Sequence, residues 1–258
     1  MRPKDRKQQI GFSQRVRLEW LETVASLVLV RNDEKAIYEA LQDLLKDKLS
    51  IGSNARRGSR GKTISILMKI WVRPPKYLKD FHQDGLKLFK KLHPDEHLAL
   101  HWGMALAVYP FFGAVALQTG RLLRLQGTVS LAPVLRRLKE QYGERETVLR
   151  AAQRILRSFI DWDVLRETEK KGVYIRGNVQ NISKPELIAW MIEAYLHSQT
   201  NGNMELTSII QSPIFFPFSF EEVQMILKKS LPRIELLTYA MDQQLVYLKT
   251  SPPAHHRP

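Results

Sequence analysis

The chain contains no cysteine. That excludes a disulfide framework, a thiol nucleophile, iron–sulfur clusters and every cysteine-ligated zinc finger. It has no G-x-S-x-G elbow for a serine nucleophile. The opening residues, MRPKDRKQQIGF, are basic and lack the apolar stretch of a secretory signal, so a cytoplasmic setting is expected. Acidic residues are also in short supply, 26 against 40 Lys and Arg, which leaves a net charge of +14. With 44% hydrophobic residues in 258, the chain can bury a real core. An excess of this size predicts a polyanionic partner.

The excess is not spread evenly. Residues 51–91 carry 11 basic and 2 acidic groups, and residues 121–176 carry 13 and 7. Residues 92–120 hold no Lys or Arg, and residues 177–258 are close to neutral. A chain made basic only for solubility has no reason to concentrate its charge. Two phosphate-facing segments flanking a neutral core are the simplest reading.

Apolar spacing predicts helices over 15–30 and 32–49, with Asn32 as cap and Asp33 and Glu34 in the first turn. Glycine, serine and arginine make 52–62 a loop, followed by a helix over 63–72 that Pro74 and Pro75 stop. A helix over 75–92 and another opening at Pro94 follow. Residues 98–117 carry no formal charge, and their length matches a bilayer span. His101, Gly103, Pro110 and Gly113 interrupt the run, so the expectation is a buried helix pair broken at Pro110, with no membrane partner. Helices over 131–141 and 145–160, joined by Gly143, precede two short strands over 164–168 and 173–176 around the tip Lys170-Lys171-Gly172. Beyond 178 the pattern predicts helices over 185–197, 220–230 and 232–243, an extended apolar connection over 213–219, a short strand over 245–249 and a loose tail from 251. The aromatic residues Trp190, Tyr195, Phe215, Phe216, Phe218 and Tyr239 read as the core of that last region.

The chemistry that can be placed is electrostatic. Helix, glycine turn, basic helix and basic hairpin follow the order of a winged helix-turn-helix, in which a helix enters the major groove and the hairpin reaches the backbone. On that reading the DNA contacts are Arg136 and Arg137, then Arg145, Arg150, Arg154 and Arg157, then Lys170, Lys171 and Arg176. Arg150, Arg154 and Arg157 form one solvent-facing stripe that would carry any sequence preference. Changing Arg154 and Arg157 to Glu should then weaken binding without lowering stability. Arg56, Arg57, Arg60 and Lys62 in the small-residue loop form a second phosphate-contacting surface.

Competing chemistries fit less well. Gly61-Lys62-Thr63 resembles the end of a phosphate-binding P-loop, but Arg56 stands where a glycine is required and no strand is expected before it. His93, Glu96 and His97 match an H-x-x-E-H spacing, with His101 one turn on. Pro94, Asp95 and Glu96 also make an ordinary helix start, so no metal and no cofactor is expected. Asp161 and Asp163 flank Trp162 at a helix terminus and read as structural. No catalytic residue is assigned.

The order SIGSNARRGSRGKT, ALAVYPFFGAVALQTGRLL and ETVLRAAQRILRSFIDWDVL, after an amphipathic helix pair, resembles the small helical DNA-binding A subunit of BREX bacteriophage-exclusion systems. The resemblance runs over residues 18–165 and rests on element order and hydrophobic pattern. It implies a compact α-helical, non-enzymatic DNA binder working beside a larger defence assembly. It has no motif from which functional residues carry over. The hairpin and the segment from Asn178 depart from it.

The resulting expectation is a mainly α protein. A helical region with the basic loop spans 1–120, and a winged helix-turn-helix-like segment spans 121–177. A small α-helical region covers 178–250, where other subunits of a defence complex would dock, and a tail covers 251–258. The expected partner is double-stranded DNA, held mostly by its phosphates. The alternative is a protein–protein adaptor whose basic face meets an acidic partner.

Overall fold

The computed structural model describes residues 10–30, 33–49, 58–199, 203–221, 233–240 and 243–249. Helix dominates. After an irregular segment at 10–17 come α1 (Leu18–Val30), α2 (Glu34–Leu44) and α3 (Ser59–Trp71). A 3-10 turn (Lys76–Leu78) leads into α4 (Lys79–Lys91), and a second one (Pro94–Glu96) leads into α5 (His97–Val108) and α6 (Pro110–Gln126). Next are β1 (Thr128–Ser130), α7 (Leu131–Tyr142), α8 (Glu146–Asp161), β2 (Leu165–Glu167) and β3 (Val173–Arg176). The chain closes with β4 (Gln180–Ile182), α9 (Pro185–Ser198), β5 (Asn203–Glu205), α10 (Leu206–Ile210), a 3-10 turn (Pro213–Phe215), β6 (Phe218–Phe220), β7 (Ile234–Ala240) and β8 (Gln243–Leu248).

The centre of the fold is α5. Every residue from Ala99 to Val108 is buried, as an uncharged helix that is apolar all round requires. α1, α3, α4, α6 and α9 all pack on it. Pro110 ends it as expected. The residue before a proline is driven out of the helical region, and Tyr109 accordingly sits at φ −124, ψ 91 with Pro110 as the first residue of α6. The pair bends by 118° at that point. Among the described residues, no single helix is long and apolar enough to cross a membrane.

Small residues let neighbours approach α5 and α6. A side chain at Gly103 would collide with the Trp190 ring of α9, and one at Gly120 would overlap the Pro213 carbonyl. Trp190 itself stacks on Phe81 with centroids 4.4 Å apart and donates from Nε1 to the Phe81 carbonyl at 3.0 Å. One continuous apolar cluster runs from Phe12 to Val246. The boundary expected at 120/121 falls inside α6, and the core passes across it.

Several expectations need correction. The cap of α2 is Asp33, whose carboxylate accepts from the Lys35 and Ala36 N–H groups at 3.0 and 3.3 Å; Asn32 lies outside the described residues. α2 ends at Leu44, because the chain turns over 45–48. α3 begins at Ser59, so the helix takes in residues expected in the loop. Thr63 and Ser65 bond back to the Ser59 and Gly61 carbonyls at 3.0 and 2.8 Å, which satisfies their hydroxyl groups inside the helix.

The largest correction is at the C-terminus. Within the helix expected over 232–243, residues 234–240 are instead the strand β7 and Gln243 opens β8, residues 232, 241 and 242 lying outside the described ones; β5 completes an antiparallel sheet in the order β5-β8-β7. Ile234 pairs with Leu248 and Leu236 with Val246, so these apolar residues share the face turned to the core while Leu237 lies on the exposed face. The extended connection expected over 213–219 contains a 3-10 turn and then β6, which pairs in parallel with β4. The helix expected over 220–230 lies largely outside the described residues. Trp190, Tyr195, Phe215, Phe216 and Phe218 are buried.

Candidate nucleic-acid interface

α7 and α8 pack against each other and are joined at Gly143, which takes φ +77. Only glycine adopts that conformation without strain. Each helix buries one stripe, Val134, Leu138 and Tyr142 on α7 and Val148, Ala152, Ile155 and Phe159 on α8. Phe159 joins Trp102, Phe112, Trp162 and Phe216 in a ring-on-ring cluster, with its centroid 5.0 Å from Trp102. α8 is thereby fixed to the central helices. β1, β2 and β3 then form an antiparallel sheet in the order β1-β3-β2. The β2–β3 hairpin projects to the tip at Lys170, Lys171 and Gly172, all exposed.

The arginines of α8 do not act alike. Arg150 is exposed and pairs with Glu146 one turn before it. Arg154 is only half-exposed, because its Nη1 donates to the Ser13 carbonyl at 2.6 Å. Arg157 is exposed, with no ion pair among the described residues. The uniform solvent-facing stripe expected from helical spacing is therefore replaced by one paired, one structural and one open arginine.

The cause is the irregular segment 10–17, whose residues Ser13, Arg15 and Val16 bond to α8 and Trp162. Val16 N–H donates to Ser158 Oγ at 2.9 Å, and Trp162 Nε1 donates to the Val16 carbonyl at 2.9 Å. Arg15 meets Asp161 through two hydrogen bonds. Phe12 anchors the segment between Tyr109 and Phe112. Nothing in the helical periodicity announces this strap. The one available signal is Ser158, a polar residue on an otherwise apolar stripe.

Arg145 caps the turn, donating to the Tyr142 carbonyl at 3.0 and 3.2 Å. On α7, Arg137 is exposed and Arg136 lines a shallow hollow together with Lys139, Glu140 and Glu144. Lys139 pairs with Glu144 at 3.1 Å. The α7–α8 turn is thus close to charge-balanced. Open cations lie on the hairpin, at Lys170, Lys171 and Arg176, and at Arg157, Arg137 and Arg136, the last with Glu140 and Glu144 around the same hollow.

The base of the hairpin is tied to the end of α8. Asp163 takes φ +53, unusual for a residue with a side chain. Arg166 donates to its carboxylate at 3.0 and 3.2 Å and to Asn178 Oδ1 at 2.7 Å. Arg166 is the main reason the Asp163 carboxyl is held below its ordinary value. The pair Asp161 and Asp163 therefore fixes the strap and the hairpin.

Arg60 and Lys62 lie in the first turn of α3. They sit on a helix, where the sequence had suggested a loop, because the helix starts four residues earlier than expected. Neither has an ion pair among the described residues, although cations at a helix N-terminus oppose its dipole. Arg56 and Arg57 lie outside the described residues.

The histidine motif has a different use. Glu22 of α1 bridges His97 Nδ1 at 2.8 Å and His101 Nε2 at 2.9 Å. Trp71 Nε1 donates to His101 Nδ1 at 3.0 Å, which puts the His101 proton on Nε2. Burial pulls the His101 ring below its ordinary range, against the opposing pull of Glu22. Burial pushes the Glu22 carboxyl up, and the hydrogen bonds from His101 and His97 together outweigh it, leaving it low. Glu96 accepts from His93 N–H and from Lys184 Nζ at 2.6 Å. Among the described residues no three His, Asp or Glu side chains are grouped to hold a metal ion.

No protein-family model, curated protein or solved structure matches the chain.

Proposed function

We propose that the run from α6 to β3 is a winged helix-turn-helix that holds duplex DNA mainly through its phosphates. The observation that carries the reading is the element order β1–α7–α8–β2–β3 with β3 central in the sheet, combined with open cations on α8 and on the hairpin. In such a module one helix and the hairpin address adjacent stretches of the duplex. Glu144 and Glu146 at the start of α8 are both exposed, so they repel a phosphate backbone approaching that end. The contacts are accordingly assigned to Arg157, Lys170, Lys171, Arg176 and Arg137, with Arg60 and Lys62 of α3 as a second phosphate-contacting set. This set supports positioning on the backbone more than reading of base edges.

The same reading makes the protein a non-enzymatic accessory or regulatory subunit, and the resemblance in element order supports a role in a bacterial phage-defence assembly. Its C-terminal sheet, with Leu237 exposed on the edge strand β7, is the surface assigned to other subunits.

The test is a fluorescence-anisotropy titration with a random duplex at two salt concentrations. Wild-type protein is expected to bind with a steep salt dependence. Arg157→Glu with Lys171→Glu is expected to weaken binding and to lower the logarithmic salt slope by about 2, one for each phosphate left without its cation. Equal affinity and slope in the double variant would overturn the assignment.

A further inference from the structure

The most basic block of the chain, residues 51–91, is only partly accounted for by Arg60 and Lys62. Three more of its cations, Arg73, Lys76 and Lys79, converge on a cleft of about 520 Å³ where α3 turns into α4. Two walls make it. Lys76, Lys79, His82 and Leu86 recur at three- and four-residue steps, so they line one side of the 3-10 turn and α4. Val72 and Arg73, at the end of α3, form the other side. The consecutive prolines at 74 and 75 hold the two walls at a fixed angle.

Further along α4, Lys87 is offset by Asp84 and Lys91 by Glu186. Lys90, near the far end of that helix, is exposed and unpaired among the described residues, but it stands alone there. No carboxylate lines the cleft, and Arg73, Lys76 and Lys79 have no ion pair among the described residues. Three like charges around one hollow repel each other until an anion enters. The floor is apolar, with Val72 and Leu86 half-buried. His82 beside them is already engaged, its Nε2–H donating to the Trp71 carbonyl at 2.8 Å. A cleft of this size falls in the range of small-molecule sites, with charge at the rim and an apolar surface below.

We propose that this cleft binds a phosphorylated small molecule of nucleoside-diphosphate type, with Arg73, Lys76 and Lys79 on the phosphates and Val72 and Leu86 against the ring. Arg73 supplies a planar fork for two phosphate oxygens, and the lysines supply point charges. The site is separate from the α6–β3 module and does not depend on the duplex-binding reading.

The experiment uses the full chain and isothermal titration calorimetry with ADP, inorganic phosphate and adenosine. ADP is expected to bind saturably, phosphate more weakly, and adenosine to give no heat. Arg73→Ala, Lys76→Ala and Lys79→Ala combined are expected to weaken ADP binding at least about tenfold, since each charge-assisted contact is among the stronger hydrogen bonds. All three residues are exposed, and duplex affinity should be retained in the variant. A second readout needs no variant: in wild-type protein, ADP should protect Lys76 and Lys79 from acetylation. No saturable ADP binding at millimolar concentration, or equal binding by the variant, would overturn the proposal. So would a variant that loses duplex binding while ADP never binds, which would make the cleft a stretch of the DNA track.

Discussion

Arg154 donates to a main-chain carbonyl of the N-terminal strap at 2.6 Å, whereas Arg157, three residues on, ends in solvent. Arg154→Ala removes a charge-assisted bond worth about 1.5–3 kcal/mol. A drop in melting temperature of several degrees is expected, seen in a thermal melt followed by circular dichroism. Arg157→Glu should leave the melt unchanged and act only on duplex binding. Buried histidines give the stability a pH dependence, since burial lowers both His82 and His101. His101 is lowered in the folded protein from its ordinary 6.5, so below that pH the unfolded chain takes up a proton that the folded chain refuses. Stability is therefore full above about pH 7 and falls as the solution is acidified through pH 6 and below. Glu22, held below its ordinary 4.5, adds a further loss at lower pH with the same sign. Melts at pH 7.5 and 5.5 should show the first loss in wild-type protein and a smaller one in His101→Gln.

At the scale of elements, close backbone approach matters more than propensity. α6 meets the 3-10 turn at Pro213–Phe215 across Gly120, where a methyl group would overlap a carbonyl. Neither partner is a flexible side chain that can step aside. Gly120→Ala is expected to cost at least about 3 kcal/mol, the range of severe overpacking. Gly172 at the hairpin tip has φ +78 and open space around it. Gly172→Ala should cost about 1 kcal/mol, from backbone strain alone. Chemical denaturation of the two variants separates these mechanisms. The helices α5, α6, α7, α8 and α9 were legible from spacing and punctuation, since each has a clear apolar stripe or an apolar whole and a proline or glycine at its end. β7 was not legible. Ile234, Leu236 and Leu237 suit either period, and only pairing with β8 decides between them.

Across the whole molecule, the apolar cluster from Phe12 to Val246 joins regions that charge and composition had divided. Phe159 of α8 touches Trp102 of α5 and Phe216 near the C-terminus. Arg233, just before β7, reaches back to Glu193 of α9 and Asp84 of α4 at 2.7 and 2.6 Å. Cooperative unfolding in one calorimetric transition is expected, with calorimetric and van't Hoff enthalpies equal. The isolated segment 121–177 should not fold, because it leaves behind Trp102, Phe112 and Phe216, which pack on Phe159, and circular dichroism of that fragment would show it.

Composition and periodicity by themselves determined the mainly helical class, the buried bent pair around Pro110 and the position of the basic hairpin. These follow from local rules: where charge is absent, where apolar residues recur, and where proline or glycine stops a helix. Which arginines stay open for a ligand was decided only by tertiary structure. Arg154 is taken by a strap about 140 residues away in the chain, the histidine motif by Glu22 of α1, and Arg73, Lys76 and Lys79 are gathered by the turn between two helices. A charge is available or committed according to what folding brings beside it, and sequence spacing carries no record of partners so far away.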